Sequence, residues 1–233
     1  MTVTLTHYCG IAENFSIIYR MRMKSRFFFF AIPLFVVTTV LADHHEKKED
    51  GFTALNLSNM KTEGNWQAMD DGVLYLEPRE GEEGWKRYHH YLWTKEKYGD
   101  FTFSFEYKYG EGGNSGFYFR CVDQKDPVEG GFEVQILDSM GKPDGEMGHH
   151  DNGGVIKTKG ADTNASIPAG EWNKMVVTMK GSHLTVMLNG KKVQDFDLAE
   201  KKPEDKPLES EGYIAIQDHG LPFWVRNLKV KAL

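Results

Sequence analysis

From Gly51 to the C-terminus, apolar and aromatic residues recur at every second position in short runs, and each run is stopped by Gly, Asn, Asp or Pro. A period of two puts alternate side chains on opposite faces of a strand, whereas a helix repeats its apolar residues every three to four. No stretch of ten residues after Gly51 keeps a helical period. The clearest run is Phe101–Tyr109, where Phe101, Phe103, Phe105 and Tyr107 form one row and Thr102, Ser104, Glu106 and Lys108 the other. Further strands are expected at Trp66–Met69, Val73–Leu76, Tyr91–Thr94, Lys174–Lys180, Leu184–Leu188, Lys191–Phe196, Gly212–His219 and Phe223–Lys231. Asp71-Gly72 and Asn189-Gly190 are dipeptides suited to two-residue hairpin turns. Roughly ten to fourteen short strands joined as meanders cannot bury their apolar faces in one sheet, so the chain is expected to be all-β, a sandwich of two packed antiparallel sheets.

Two runs between Gly112 and Asp138, GGNSGFYFR and GFEVQILD, carry an uncommon set of polar groups. Alternation puts Gly116, Tyr118 and Arg120 on one face and Phe117 and Phe119 on the other; Glu133 and Gln135 oppose Phe132, Val134 and Ile136. A purely structural face usually carries Lys, Thr and Ser, while Tyr, Arg, Glu and Gln can hydrogen-bond a polyhydroxylated ligand or move a proton. Gln217 and His219 share a face of the 212–219 run, and Glu106 is expected to join the same polar surface. Residues 139–168 contain eight Gly or Pro and little periodicity, and they hold His149, His150, Asp151 and Lys157. A loop that long in a compact domain is usually functional or disordered. It is expected here to be ordered and to cover the polar face.

The N-terminus has a different character. Arg20, Arg22, Lys24 and Arg26 precede an apolar run from Phe27 to Leu41, followed by Ala42 and the polar DHHEKKED. A basic region, a short apolar run and a small residue at the exit describe a secretory signal peptide over 21–42, with a retained membrane anchor as the alternative. Residues 1–20 lack this pattern and read as a mis-assigned extension, with Met21 or Met23 as alternative starts; 43–50 reads as a charged linker and 51–233 as the folded domain. The expectation is export, to the periplasm or beyond, with no stable membrane insertion after cleavage. Residues 1–42 hold four of the 28 Lys and Arg and one of the 34 acids, which leaves 24 basic and 33 acidic residues in the remainder. That balance argues against nucleic acid, whose phosphates need a basic surface. Only Cys121 lies after residue 42, so the domain has no internal disulfide and must stand on its core.

The ordered motifs GNSGFYFR, GFEVQILD, AGEWNKMVV, LNGKKV, GYIAIQDHG and VRNLKVKAL, with GFTALNL and LWTKEKYGDFTFSFEYK before them, resemble the 3-keto-disaccharide hydrolase family over about residues 51–233. The resemblance implies a concanavalin A-like jelly roll of two curved antiparallel sheets with the ligand on the concave face. It also implies a sugar substrate, a glycoside already oxidised to a ketone at C3, whose glycosidic bond is cleaved by exported bacterial members.

A C3 ketone acidifies the proton at C2, so a base can remove it while a donor steadies the enolate, and the C1 oxygen then leaves with a proton from a general acid. Glu133 is the first candidate for base or metal-binding carboxylate; its alternative is a salt bridge to Arg120. Arg120 and Lys157 could polarise the ketone, and His219 could transfer a proton or bind substrate. Gln135 and Gln217 suit sugar hydroxyls or a cross-strand amide pair. Tyr118 and Trp85, with Tyr88 and Trp224, could stack on a pyranose ring, and Asn114 fixes a tight approach or leaves room for substrate. Asp218 is expected to cap its turn. His149 and His150 could face substrate or hold a divalent metal with Glu133, which makes such an ion a possible cofactor; no other cofactor is implied. Glu133, Gln135 and Asp138 also resemble the E-x-D-x-x-E run of laminarinase-type glycoside hydrolases, with Gln for the middle Asp and Asp for the last Glu. A carbohydrate-binding module without catalysis is the remaining alternative.

Overall fold

The computed structural model describes residues 51–233, so the signal peptide, the 1–20 extension and the charged linker lie outside the described residues. Within them the strands are β1 (Thr53–Ala54), β2 (Met60–Lys61), β3 (Trp66–Ala68), β4 (Leu74–Leu76), β5 (Leu92–Thr94), β6 (Phe101–Tyr109), β7 (Asn114–Cys121), β8 (Phe132–Leu137), β9 (Asn173–Lys180), β10 (His183–Leu188), β11 (Lys191–Asp197), β12 (Tyr213–Ile216) and β13 (Phe223–Ala232). Among the described residues no helix is long and apolar enough to cross a membrane.

The strands form a jelly-roll sandwich of two antiparallel sheets. One runs β11-β10-β9-β6-β13-β4-β3 with β1 beside β13, and the other runs β2-β5-β12-β7-β8. The rows expected from alternation meet between them: Phe103 and Phe105 of β6 lie with ring centroids 5.1 and 5.6 Å from Phe117 of β7, and Phe101 lies 6.2 Å from Phe119. These rings are fully buried, and each contributes roughly 1.5–3 kcal/mol by leaving water. Asn189 and Gly190 both take positive φ, as a two-residue type I′ hairpin needs, and Leu188 pairs with Lys191 across it.

One departure from strict alternation and one sheet assignment decide what reaches the outer face of the five-stranded sheet. Tyr118 pairs with Ala215 but Cys121 pairs with Tyr213, so β7 carries one residue more than β12 between those points. The extra residue is absorbed at Arg120, whose φ is +55°, and a bulge of this kind turns its side chain off the face that period two assigns it. Glu106 keeps the alternation of its strand but lies in the other sheet. Its strand, β6, belongs to the eight-stranded sheet, because its phenylalanine row faces β7 across the core and is not hydrogen-bonded beside it.

Candidate active site

The outer face of the five-stranded sheet is built by register. Tyr118 lies opposite Glu133 and Gly116 opposite Gln135, while Ala215 lies beside both Tyr118 and Trp93. Trp93, Ala215, Tyr118 and Glu133 therefore make one row across four strands. Beneath the polar tips, Tyr91, Trp93, Tyr118, Cys121 and Ala215 pack as a second buried cluster, so the aromatic bodies support the groups they carry. The 139–168 loop continues the sheet past its edge: Gln135 N donates to Gly154 O, Gly153 N to Gln135 O and Ile156 N to Glu133 O, at 2.8, 2.9 and 3.0 Å. This pairing brings Ile156, Lys157 and His150 to the rim of a cleft of about 330 Å³, lined also by Trp85, Asn114, Tyr118, Val128, Glu133, Gln135, Gln217 and His219.

The loop is held from within. Asp151 accepts from Lys142 Nζ and Gly148 N, both at 2.6 Å, and Asn152 Oδ1 accepts from the buried Tyr107 hydroxyl at 2.8 Å. His149 Nδ1 accepts from Lys157 N at 3.1 Å, where Lys157 sits at φ +56°. Burial lowers the proton affinity of His149, with His150 acting in the same direction, which keeps Nδ1 an acceptor. On the other side, Arg87 Nη2 bonds Asp218 Oδ1 at 2.5 Å, and Gly220 N donates to the same oxygen at 2.8 Å. Asp218 thus caps its turn as expected and also ties the loop carrying Trp85 to the turn carrying His219.

Two arms of hydrogen bonds leave the Gln217 amide, and one of them ends on Glu133. Tyr91 Oη donates to Trp85 O at 2.8 Å, and Gln217 Nε2 donates to Tyr91 Oη at 3.1 Å and to Tyr118 Oη at 3.4 Å. Tyr118 Oη donates to Glu133 Oε2 at 2.7 Å. The Gln217 amide oxygen is buried without a partner. Gln135 Nε2 donates to Asn114 Oδ1 at 3.0 Å, leaving that amide pair on the cleft floor. Gly116 makes room for the carboxylate: an ideal Cβ there would stand 2.0 Å from Glu133 Oε1, so no residue with a side chain fits without moving it.

Burial pushes the Glu133 carboxyl up to about 7, opposed by the hydrogen bond from Tyr118 and by the charge of Lys206. Burial also raises Tyr118 and Tyr91 far above the ordinary phenol range, so both hydroxyls stay protonated and serve as donors. His219 moves the other way: burial lowers it, so the ring facing the cleft is neutral near pH 7. The cleft therefore offers a carboxylate of near-neutral proton affinity, the Lys157 ammonium, two imidazoles and three amides.

Of the residues expected at the site, Glu133, Gln135, Gln217, Tyr118, Asn114, His150, Lys157, His219 and Trp85 line the cleft. His149 supports it through Lys157. Arg120 is elsewhere: its buried guanidinium bonds Glu209 O at 2.7 Å, Gly181 O at 3.2 Å and Asp100 Oδ1 at 3.3 Å, so it neither pairs with Glu133 nor lines the cleft. Glu106 accepts from Arg226 Nε at 2.8 Å and Asn227 Nδ2 at 3.1 Å on the eight-stranded sheet. Trp224 stacks on Tyr75 there, with ring centroids 4.8 Å apart, and Tyr88 packs edge-on against Tyr91. Asp138 accepts from Gly112 N and Met140 N at its own turn and is absent from the cleft lining. Among the described residues no three His, Cys, Asp or Glu side chains are grouped to hold a metal ion, so the alternative in which Glu133 joins the two histidines around an ion is not found.

A family model for the 3-keto-alpha-glucoside-1,2-lyase-like domain matches residues 43–231. The chain belongs to this family. A relative described as a 3-keto-disaccharide hydrolase, from Bacteroides thetaiotaomicron, is 28% identical over 173 residues, which cover 59% of this chain and 60% of that protein's length. Two crystal structures of candidate glycosyl hydrolases from Parabacteroides distasonis are similar. One is 29% identical with a TM-score of 0.65 over 78% of this chain and 99% of that one; the other is 25% identical with a TM-score of 0.64 over 81% and 97%. A carbohydrate-binding module from Bacillus subtilis, 15% identical with a TM-score of 0.50 over 78% of this chain and 96% of that one, shares the fold.

For this member of the 3-keto-alpha-glucoside-1,2-lyase-like family, sequence reasoning missed Tyr91, Arg87 and Lys206. Tyr91 reads in the sequence only as the start of a short strand, and its polar end is placed by the Gln217 amide. Arg87 lies in a loop with no period. Lys206 lies in the charged connection after β11, where lysines are common, and its side chain reaches back to a niche shared with Glu133.

Proposed function

We propose that this chain cleaves the glycosidic bond of 3-keto-glycosides by removing the proton at C2, eliminating the C1 oxygen and adding water to the product. The observation that carries the reading is Glu133: a carboxylate on a cleft floor, held by Tyr118, with its proton affinity raised to about 7. A general base works best with a proton affinity near the operating pH. Glu133 takes the C2 proton, the C2–H electron pair forms a C2–C3 double bond, and the carbonyl pair moves to the C3 oxygen as an enolate. Lys157 and neutral His219 are the donors available to that oxyanion. When the enolate collapses, the C3 carbonyl reforms, a C1–C2 double bond forms and the C1–O bond breaks. The departing oxygen takes a proton from Lys157 or His150 at the rim. Water adding across C1–C2 gives the 3-keto sugar, so the net change is hydrolysis.

Retaining hydrolysis is less well supported, because it needs two carboxyls about 5–5.5 Å apart. Glu133 is the one carboxylate among the described residues lining the cleft. The test is to incubate the purified protein with a 3-keto-glucoside and with its unoxidised parent. Cleavage of the keto substrate alone is expected; cleavage of the parent would favour a retaining glycosidase, and binding of either without turnover would favour a binding module. Export belongs to the same proposal, supported by the basic and apolar pattern before Ala42. N-terminal sequencing of protein from the cell envelope and medium should find a start just after Ala42, and an uncleaved cytosolic product would overturn it.

A further inference from the structure

Lys206 is held in an unusual place for a lysine from a charged surface connection. Its ammonium sits 5.1 Å from the centroid of the Phe132 ring and donates to Val128 O. It thereby borders a niche of about 20 Å³ that Glu133, Tyr118 and Lys157 also line. Those three residues line the main cleft as well, so the niche adjoins it. A space of this size takes one water, and the surrounding charged and hydroxyl groups supply the partners a buried water needs.

We propose that Lys206 is a positioning residue for the reaction, its ammonium holding the Glu133 carboxylate through the niche and a single water, so that the carboxylate is ionised when substrate arrives. This rests on the reading of Glu133 as the base. Burial works against an ionised Glu133, and the charge of Lys206 opposes burial. The other titratable groups around the pair act differently. Tyr118, Tyr91 and Cys121 are neutral, held that way by burial. Glu129, on the one-turn helix Pro127–Gly130, and Lys157, on the loop, bear on Lys206 with opposite signs. His150 and His219 face the cleft side, where His219 is lowered toward neutrality. Burial lowers the proton affinity of Lys206 itself, which fits an ammonium committed to a partly dry site.

The test compares wild type, Lys206→Met and Lys206→Arg. The Glu133 carboxyl is followed by carbon NMR in glutamate-labelled protein and assigned by the signal lost in Glu133→Gln. Lys206→Met keeps the packing on Phe132 without the charge, and the Glu133 titration should move up by about one unit, while Lys206→Arg should restore it. On a 3-keto-glucoside, the acid limb of kcat/KM should move with it, giving about tenfold lower activity below the limb and convergence with wild type at high pH. An unmoved Glu133 titration in folded Lys206→Met overturns the proposal. A moved titration in a protein that cleaves no 3-keto-glycoside overturns the proposed reaction and leaves the link between Lys206 and Glu133 standing.

Discussion

Replacing Gly116 by alanine is a sharp test of the site, because the effect can be worked from coordinates that do not involve the substrate. The added Cβ would stand 2.0 Å from Glu133 Oε1 and 2.9 Å from the carboxyl carbon, where real Cβ contacts essentially never fall below 3.0 Å. The carboxyl must therefore retreat by about 1 Å or more. Glu133 opens onto the cleft, so the side chain can swing outward and the strand pair need not part. A retreat of that size takes the 2.7 Å bond from Tyr118 out of hydrogen-bond range, at a cost of about 1.5–3 kcal/mol for a bond to a charged group. A base displaced by about 1 Å loses on the order of 100-fold in rate. The expected result is a kcat on a 3-keto-glucoside about 100-fold below wild type, with urea unfolding showing a folded protein destabilised by the amount above. Wild-type kcat in folded Gly116→Ala would refute the reasoning.

Glu133→Gln should abolish turnover and raise stability at alkaline pH. The folded carboxyl, at about 7 against an ordinary 4.5, binds its proton more tightly than the unfolded one, so its contribution is fully present below about 4.5 and is lost as pH rises through about 7. The difference amounts to ~3 kcal/mol, and urea unfolding at pH 5 and pH 8 should show the variant gaining on wild type by about that much. Arg120→Met should lower stability by about 3 kcal/mol, because it leaves the Glu209 and Gly181 carbonyls without their donor, while kcat at 20–25 °C changes less than about twofold. A large kcat loss there would return Arg120 to the site. His149→Ala removes the acceptor that holds Lys157 N, and kcat/KM should fall about tenfold with Tm nearly unchanged; an unaltered kcat/KM would show that Lys157 needs no such support.

Much of this was legible in the chain because period two is a strong constraint. It assigned Phe117 and Phe119 to the core and Tyr118, Glu133 and Gln135 to the other face, and the register then set Tyr118 against Glu133. Arg120 was misplaced by the same rule, since one bulged residue with φ +55° reverses a face and no composition signal marks it. Glu106 was misplaced because alternation says which residues share a face of one strand but not which sheet the strand joins. Tyr91 and Lys206 were illegible for a third reason: each reaches the site through a contact with a residue more than 70 positions away, Gln217 and Phe132 respectively.

The direction of the hydrogen-bond chain adds a constraint on where the proton is taken. Tyr91 gives its hydrogen to Trp85 O, Gln217 spends both amide hydrogens on the two tyrosine oxygens, and Tyr118 gives its hydrogen to Glu133 Oε2. Every donor in the series is committed, one arm from Gln217 running through Tyr91 to Trp85 O and the other through Tyr118 to Glu133, so Oε2 is an acceptor already in use. The other oxygen, Oε1, occupies the space that a side chain at position 116 would fill. On the proposed reaction, a proton removed from C2 would be received on Oε1, and the absence of a side chain at Gly116 would be part of the base. The tyrosines need not ionise for this, which agrees with burial holding both far above the ordinary phenol range. Tyr118→Phe isolates the point: it removes the bond to Oε2 and leaves Oε1 untouched. Without that donor the Glu133 carboxyl should titrate still higher, and kcat/KM should fall at pH 6 by more than at pH 9. An equal loss at both values would mean that Tyr118 touches the substrate itself and that the proton path does not run as drawn.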